Sequence, residues 1–232
     1  MAEQETPNTP TNGEIYANLR NEFAEIVAGL GPDELALAVP QCPDWSIKDV
    51  LAHVVGITAD IVNDNLAQIG SDAWTDAQVA SRAEMTVDEV CAEWGQLGPG
   101  IDELCAGSPV MAMRATADLV THLHDVLVPL GRTGDKMSAA VELGLERYGP
   151  FFCERAAQAG LPVVRVEAGR RVWQSGDGEP TASWRGSAFE VLRAVSGRRT
   201  AAQIRSMDWS GDPEPYLSVV TPYGLPEEAV AE

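Results

Sequence analysis

Residues 118–131, DLVTHLHDVLVPLG, combine an apolar stripe with acidic and histidine side chains at helical spacing. Apolar residues separated mostly by three or four positions are typical of an amphipathic helix that buries one face. They are Leu119, Val120, Leu123, Val126, Leu127 and Leu130. Ser108-Pro109 precedes the pattern and Gly131 follows it, as start and stop signals should. We therefore predict a helix over Met111–Leu130.

Three more amphipathic helices are predicted upstream of this one. Their expected bounds are Asn12–Leu30, Ile47–Ile69 and Val87–Cys105. Two of them begin with a capping box, in which Ser46 precedes Asp49 and Thr86 precedes Glu89 by three residues. Residues 41–46 before the second helix contain Pro and Asp, and we expect a turn there. Four helices with polar connections predict a helical bundle, whose core often holds metal sites.

The pattern changes after the fourth helix. A helix is predicted over Met137–Gly160, with a kink or break at Gly149-Pro150. Short runs rich in Val, Trp and Thr then predict strands separated by glycine turns, as in a meander, followed by a short helix. These elements are Leu161–Ala168, Arg171–Ser175, Thr181–Gly186 and the helix Phe189–Val195.

The predicted fold class is α+β, an N-terminal four-helix bundle followed by a small α+β domain. We expect a disordered tail over residues 1–13 and the bundle over 14–135. The α+β domain is expected over 136–224, and an acidic tail over 225–232.

Composition and charge disfavour several classes of protein and partner. The net charge of -19 disfavours nucleic acids and anionic membranes, because both are bound by clusters of Lys and Arg. There is no apolar stretch long enough to cross a membrane, and the N-terminus has no leader-like pattern. The four cysteines are scattered without a C-x-x-C pair, which favours reduced thiols and a cytoplasmic location.

Asp118 and His122 are the first candidate metal ligands. They lie four residues apart, so both project from one face of the predicted helix. His53 lies on the second helix and can supply a third ligand across the bundle. Two histidines and one carboxylate leave positions open on a divalent metal, which is typical of catalytic sites. The same spacing also occurs in helices whose histidines are simply packed or exposed.

Two neighbours of His122 are assigned different roles. His124 lies about 200° further around the helix, so we expect it to face away from the metal. Asp125 lies three residues after His122 and can accept a hydrogen bond that orients the imidazole. A solvated or capping role for Asp125 is the alternative.

Three segments, in order along the chain, resemble the mycothiol-dependent maleylpyruvate isomerase family of the DinB-like superfamily. Residues 42–53, CPDWSIKDVLAH, resemble its CPGW(T/S)xxDxxxH motif at the start of the second helix. Residues 118–131 resemble its ExxxHxxD helix, which closes with A-L-G. The segments 176–180, 188–193 and 196–199 resemble its C-terminal domain. The resemblance spans nearly the whole chain.

The resemblance implies a zinc-type site formed by His53, Asp118 and His122. It also implies that mycothiol is the thiol cosubstrate and that a small-molecule electrophile is the second substrate. Asp118 departs from the pattern, because the family usually has Glu at this position. Arg114, one turn earlier, can compete with a metal for this shorter carboxylate.

Four other residues have two interpretations each. Arg198 or Arg199 can clamp a substrate carboxylate, or both can lie in an exposed loop. Trp45 is expected to anchor the start of the second helix, with stacking on a ligand as the alternative. Cys42 is expected to be a buried structural thiol, with nucleophilic chemistry as the alternative.

Three functions remain open at this point. The first is a metal-dependent isomerase or S-transferase that activates mycothiol, with Asp125 and Arg198 as candidate catalytic residues. The second is a non-catalytic metal-binding bundle with a binding or stress role, and the third is a biosynthetic thiol-exchange enzyme. We expect a monomer or weak homodimer.

Overall fold

A computed structural model of the chain describes residues 9–232, and their secondary structure confirms the α+β class. None of its helices is long and apolar enough to cross a membrane. The helices are α1 Asn12–Ala28, α2 Pro32–Leu35, α3 Ile47–Val62, α4 Asp72–Ala80, α5 Val87–Gly107, α6 Pro109–Leu127, α7 Ala139–Gln158, α8 Ala188–Val195 and α9 Ala201–Arg205. The strands are β1 Ala38–Val39, β2 Cys42–Ser46, β3 Val164–Ala168, β4 Arg171–Gln174, β5 Ala182–Gly186 and β6 Asp208–Ser210.

Helices α1, α3, α5 and α6 are the four predicted helices, and they pack against one another. Their core includes the rings of Phe23 and Trp94, which meet edge to face at 5.7 Å. The Trp94 indole nitrogen donates a hydrogen bond of 3.0 Å to the Thr58 hydroxyl. Both predicted capping boxes are present, at the starts of α3 and α5. The local signals and the apolar stripes thus specify the same four helices.

The second predicted helix was too long. It ends at Val62, and residues 72–80 form the separate helix α4. The chain leaves α3 because Asn63 caps it and Asp64 adopts a left-handed conformation with φ of 56°. Ser71 then caps the start of α4 with a hydrogen bond to Trp74. Leu66 continues the apolar spacing past the end of α3, which hid the break from the sequence, and α4 was not predicted.

The predicted turn over residues 41–46 is wrong in part, because residues 42–46 form strand β2. It pairs antiparallel with β1 in a small two-stranded sheet. This sheet lies directly before α3 and places Cys42 and Trp45 beside the bundle core.

Of the kink or break predicted at Gly149-Pro150, the break is wrong, because α7 runs through both residues. Gly149 lies close to the Trp173 ring, and a Cβ there would stand only 2.6 Å from it. Close packing of α7 on strand β4 therefore accompanies an unbroken helix at this position.

The strands are not a meander. The order in the sheet is β4-β3-β5-β6, and β3 pairs parallel with β5. The loop after β4 crosses to the far side of β3, which sequence spacing cannot reveal. Helix α9 and strand β6 were not predicted; Trp209 of β6 stacks on Trp184 of β5 at 5.1 Å.

Both predicted tails overlap with structured residues. Residues 1–8 lie outside the described part of the chain, but Thr11 caps α1, so Asn12 and Gly13 are helical. The C-terminal segment lies against the protein, and the Glu232 carboxylate contacts Arg193 and Arg199. The domain boundaries given above stay predictions.

Candidate metal centre

The fold brings His53, Asp118 and His122 together. The Asp118 Oδ1 atom lies 3.9 Å from His53 Nε2 and 3.8 Å from His122 Nε2. These separations are too long for hydrogen bonds, which lie near 3 Å. Three ligand atoms therefore converge, all within 4.8 Å of one another, without bonding to each other. Two imidazole nitrogens and one carboxylate form a donor set that zinc and similar divalent ions accept.

Local structure explains the convergence. The capping box at Ser46 sets the first residue of α3, and His53 follows two turns later on the face toward α6. Asp118 and His122 project from one face of α6 toward His53. The Trp45 ring lies 4.8 Å from the His53 ring, centroid to centroid, so Trp45 packs against a candidate ligand. Trp45 also lines a cavity, and both of its predicted roles are compatible with this position.

The electrostatics suit ligation. Burial lowers the pKa of His122 below its usual value, which keeps the imidazole neutral and its lone pair available. Burial tends to raise the pKa of Asp118, but interactions with the neighbouring His122 and His53 imidazoles outweigh it and lower that pKa. The carboxylate is therefore ionised at neutral pH.

Asp125 lies where the sequence suggested. Its Oδ2 atom is 3.2 Å from His122 Nδ1, on the side of the ring away from Asp118. The side chain is completely buried and pairs with Arg193 at 2.6 Å and Arg198 at 2.8 Å. Burial opposes its ionisation, yet Arg198 and Arg193 hold the pKa of Asp125 well below its usual range. An ionised acceptor at this position favours the His122 tautomer that points a lone pair toward Asp118.

The arginines do not lie in an exposed loop. Arg198 binds Asp125 and donates a 2.6 Å hydrogen bond to the Ser196 carbonyl, while its side chain also lines the cavity. Arg199 turns the other way and pairs with Glu190 at 3.0 Å. Arg198 is thus next to the site, whereas Arg199 is not.

Gln78 is a site residue that sequence reasoning missed. It lies on α4, and its Oε1 atom is 2.9 Å from His53 Nδ1. No local signal marks it, because α4 was not predicted from the sequence and a lone glutamine has no characteristic spacing. Only the packing of α4 on α3 brings it to the imidazole.

Cys42 lies closer to the histidines than its sequence position suggested. Its sulfur is 3.9 Å from His122 Nδ1 and 3.8 Å from Asp125 Oδ2. Burial raises the pKa of this thiol to about 12, so it is protonated at neutral pH. A protonated thiol is a poor nucleophile, and this favours the structural interpretation of Cys42.

A cavity of about 900 Å³ opens beside the three candidate ligands. One part of its wall is aromatic, with Trp45, Tyr148 and Phe151. Arg114 and Arg147 also line it, and within residues 9–232 neither forms an ion pair with a carboxylate. Arg114 therefore does not pair with Asp118 there. The volume is at the upper end for small-molecule pockets and accommodates more than one small ligand.

His124 faces away from the candidate ligands, as predicted. Its ring packs on Phe189 at 4.7 Å, centroid to centroid, and the residue is 5% exposed. Burial and the positive charge of Arg193 lower the pKa of His124 to about 4. Lys136 lowers it further, whereas Glu232 and Asp125 oppose the shift.

This gives a pH prediction. A histidine whose pKa is lowered by folding stabilises the protein fully above its unfolded value near 6.5 and loses that contribution as the pH falls toward 4. The drop from 6.5 to about 4 corresponds to about 3 kcal/mol. We expect the free energy of unfolding of the metal-free protein to fall over this range, and His124→Leu to flatten the fall. Urea unfolding at several pH values measures it; an equally steep fall in the variant contradicts the assignment.

Comparison with known proteins agrees with this architecture. Residues 16–127 match the family described as the mycothiol maleylpyruvate isomerase N-terminal domain. Among curated proteins, none matches the chain. Two solved structures share the fold. One, of a histidine-to-alanine mutant of the mycothiol-dependent maleylpyruvate isomerase, has 10% identity and a TM-score of 0.58, covering 80% of this chain and 88% of that one. The other, of the mycothiol-dependent maleylpyruvate isomerase, has 13% identity and a TM-score of 0.53, covering 81% and 88%.

Proposed function

We propose that the protein is a metal-dependent, thiol-activating enzyme, because residues 16–127 match the mycothiol maleylpyruvate isomerase N-terminal domain family. It uses mycothiol for addition to, or transfer onto, a small electrophile, as an isomerase or an S-transferase. The observation that carries the proposal is the convergence of His53, Asp118 and His122 beside a large cavity. We place the enzyme in the cytoplasm as a monomer or weak homodimer.

His53, Asp118 and His122 would hold the metal, and their donor set suits zinc. The bound cation would lower the pKa of a thiol, ordinarily near 8.5, so that the thiolate is available at neutral pH. Asp125 keeps His122 in the ligating tautomer. Arg198 keeps Asp125 ionised and adds positive charge to the cavity wall.

Arg198 therefore differs from the simple clamp that the sequence suggested. Much of its hydrogen-bonding capacity is used by Asp125 and the Ser196 carbonyl, so its main role is electrostatic. Arg114 and Arg147 are better placed to pair with an acidic group of a substrate. This arrangement favours an electrophile that carries a carboxylate.

An open ligand position separates this proposal from a non-catalytic metal-binding role. Within residues 9–232, no fourth His, Cys, Asp or Glu joins the group formed by His53, Asp118 and His122. A second group of potential ligands, which includes Cys42 and Asp125, shares only His122 with it. In that second group Cys42 and Asp125 approach His122 Nδ1, the nitrogen on the other side of the ring from Asp118. The first group therefore leaves room for an exogenous thiolate, which also fits the biosynthetic thiol-exchange variant of the proposal.

The test is thiol chemistry by the purified protein. Zinc-loaded protein, mycothiol and a carboxylate-bearing electrophile such as maleylpyruvate should give a conjugate or an isomerised product, measured by mass spectrometry and chromatography. Chelation should abolish turnover and zinc should restore it. Cys42→Ala should still turn over, because the nucleophile is the added thiol. Turnover that survives chelation, or that requires Cys42 but not mycothiol, contradicts the proposal.

A further inference from the structure

Gln78 is a buried polar residue that reaches the candidate metal centre from α4. It is only 4% exposed, and its side-chain oxygen lies 2.9 Å from His53 Nδ1. A buried amide in a helix that packs on α3 is costly unless both of its ends are satisfied. Gln78 satisfies both, and the second partner determines which way the amide faces.

The second partner is Asp60, at the C-terminal end of α3. The Gln78 amide nitrogen donates a 2.7 Å hydrogen bond to Asp60 Oδ2. The other Asp60 oxygen accepts a 2.7 Å hydrogen bond from Asn65, so the carboxylate is held in place. A carboxylate only accepts, and the NH₂ end of Gln78 must therefore point toward Asp60. The carbonyl end then points toward His53.

The close approach of the two helices is built into α3. Gly56, one turn after His53, faces Gln78, and a Cβ there would stand 2.5 Å from Gln78 Cβ. Glycine is unfavourable inside a helix relative to alanine. Its presence here lets the Gln78 side chain lie directly against α3.

We propose that Gln78 is a positioning residue that fixes the tautomer and the orientation of His53. Its carbonyl can only accept, so His53 carries its hydrogen on Nδ1 and presents the Nε2 lone pair toward Asp118. The relay runs from Asp60 through Gln78 to His53. It rests on the metal site proposed above and assigns the ligating nitrogen within it.

The two histidines are thus oriented by different groups. His122 donates to the charged Asp125, whereas His53 donates to a neutral amide backed by a carboxylate. Partners of this kind typically change metal affinity by 10- to 100-fold when removed. The two relays also lie on different helices, α6 and α4, so they can be tested separately.

The first experiment measures zinc affinity by chelator competition on folded protein. We expect Gln78→Leu to weaken zinc binding about 10- to 100-fold, because the tautomer is no longer fixed. Gln68→Leu, at an exposed glutamine before α4, is the matched control and should bind as the wild type. Wild-type affinity in a folded Gln78→Leu protein would overturn the proposal.

The second variant exchanges the two ends of the relay. In the double variant Asp60→Asn, Gln78→Glu, the carboxylate at position 78 accepts the hydrogen bond from His53. The amide at position 60 donates to that carboxylate, and its oxygen still accepts from Asn65. We expect zinc affinity within a few-fold of the wild type. A merely structural role for Gln78 predicts no such rescue, so a double variant as weak as Gln78→Leu would count against the relay.

The third measurement observes the tautomer directly. In ¹⁵N NMR spectra of the metal-free protein, His53 should show a protonated Nδ1 and an unprotonated Nε2, and Gln78→Leu should move this equilibrium. The opposite tautomer in the wild type refutes the proposal. The metal site itself is judged separately: if His53→Ala binds zinc as tightly as the wild type, the proposed function fails first.

Discussion

Replacing His122 with alanine is expected to remove zinc from the protein and to abolish thiol-dependent turnover. His122 supplies one of three converging ligand atoms, and its Nε2 lies 3.8 Å from the Asp118 carboxylate. The loss should exceed the roughly 100-fold effect of removing an outer hydrogen-bonding partner, because a direct ligand is lost. Elemental analysis after dialysis should find about one zinc per chain in the wild type and almost none in the variant.

A neighbouring histidine provides the control. His124→Ala changes the same helix two residues later, but this ring faces Phe189 and not the site. We expect it to retain zinc. Equal zinc content in the wild type and His122→Ala would show that the site lies elsewhere. Loss of zinc in both variants would indicate general unfolding, which circular dichroism detects.

Much of the bundle was readable from the sequence because its signals are local. The capping residues Ser46 and Thr86 fix where two helices begin, and the apolar stripes fix which faces are buried. The spacing of Asp118 and His122 places them on one helical face whatever the fold. The family resemblance added His53, whose distance from α6 no spacing rule can give.

The other residues of the site depend on contacts between distant parts of the chain. Gln78 reaches His53 across 25 positions, and Arg198 reaches Asp125 across 73. Neither contact follows a periodic spacing. The first requires a correct placement of α4, and the second requires a correct placement of the loop after α8. The parallel pairing of β3 with β5 was missed for the same reason, because β5 pairs with β3 and not with β4, the strand that precedes it in the chain.

Asp118 stands where the resemblance described above implies Glu, and the structure bears on this difference. The shorter carboxylate still comes within 3.9 Å of both imidazole nitrogens, so the backbones of α3 and α6 place it within reach. Arg114 does not compete for it within the described residues. The substitution is therefore compatible with the proposed ligand set.

Replacing Arg193 with leucine is expected to destabilise the protein more than any surface substitution. Its guanidinium is completely buried and binds Asp125 at 2.6 Å, the Thr121 carbonyl at 3.0 Å and the Glu232 carboxylate. Removing one partner of a buried ion pair costs about 3–5 kcal/mol, because the remaining charges keep their desolvation penalty. For a chain of this length that corresponds to a fall in Tm of roughly 10 °C, measured by calorimetry.

An exposed ion pair between an arginine and a glutamate provides the matched comparison. Arg205 contacts Glu214 through two hydrogen bonds of 2.8 Å, but both side chains are about half exposed, so Arg205→Leu should leave Tm nearly unchanged.

The destabilising effect of Arg193→Leu should also persist from neutral pH down to about 4. The pKa of Asp125 is depressed by folding, so its contribution is present above the unfolded value near 4 and is lost only as the pH falls below it. Equal Tm values for the two variants would show that Arg193 does not hold the buried carboxylates together.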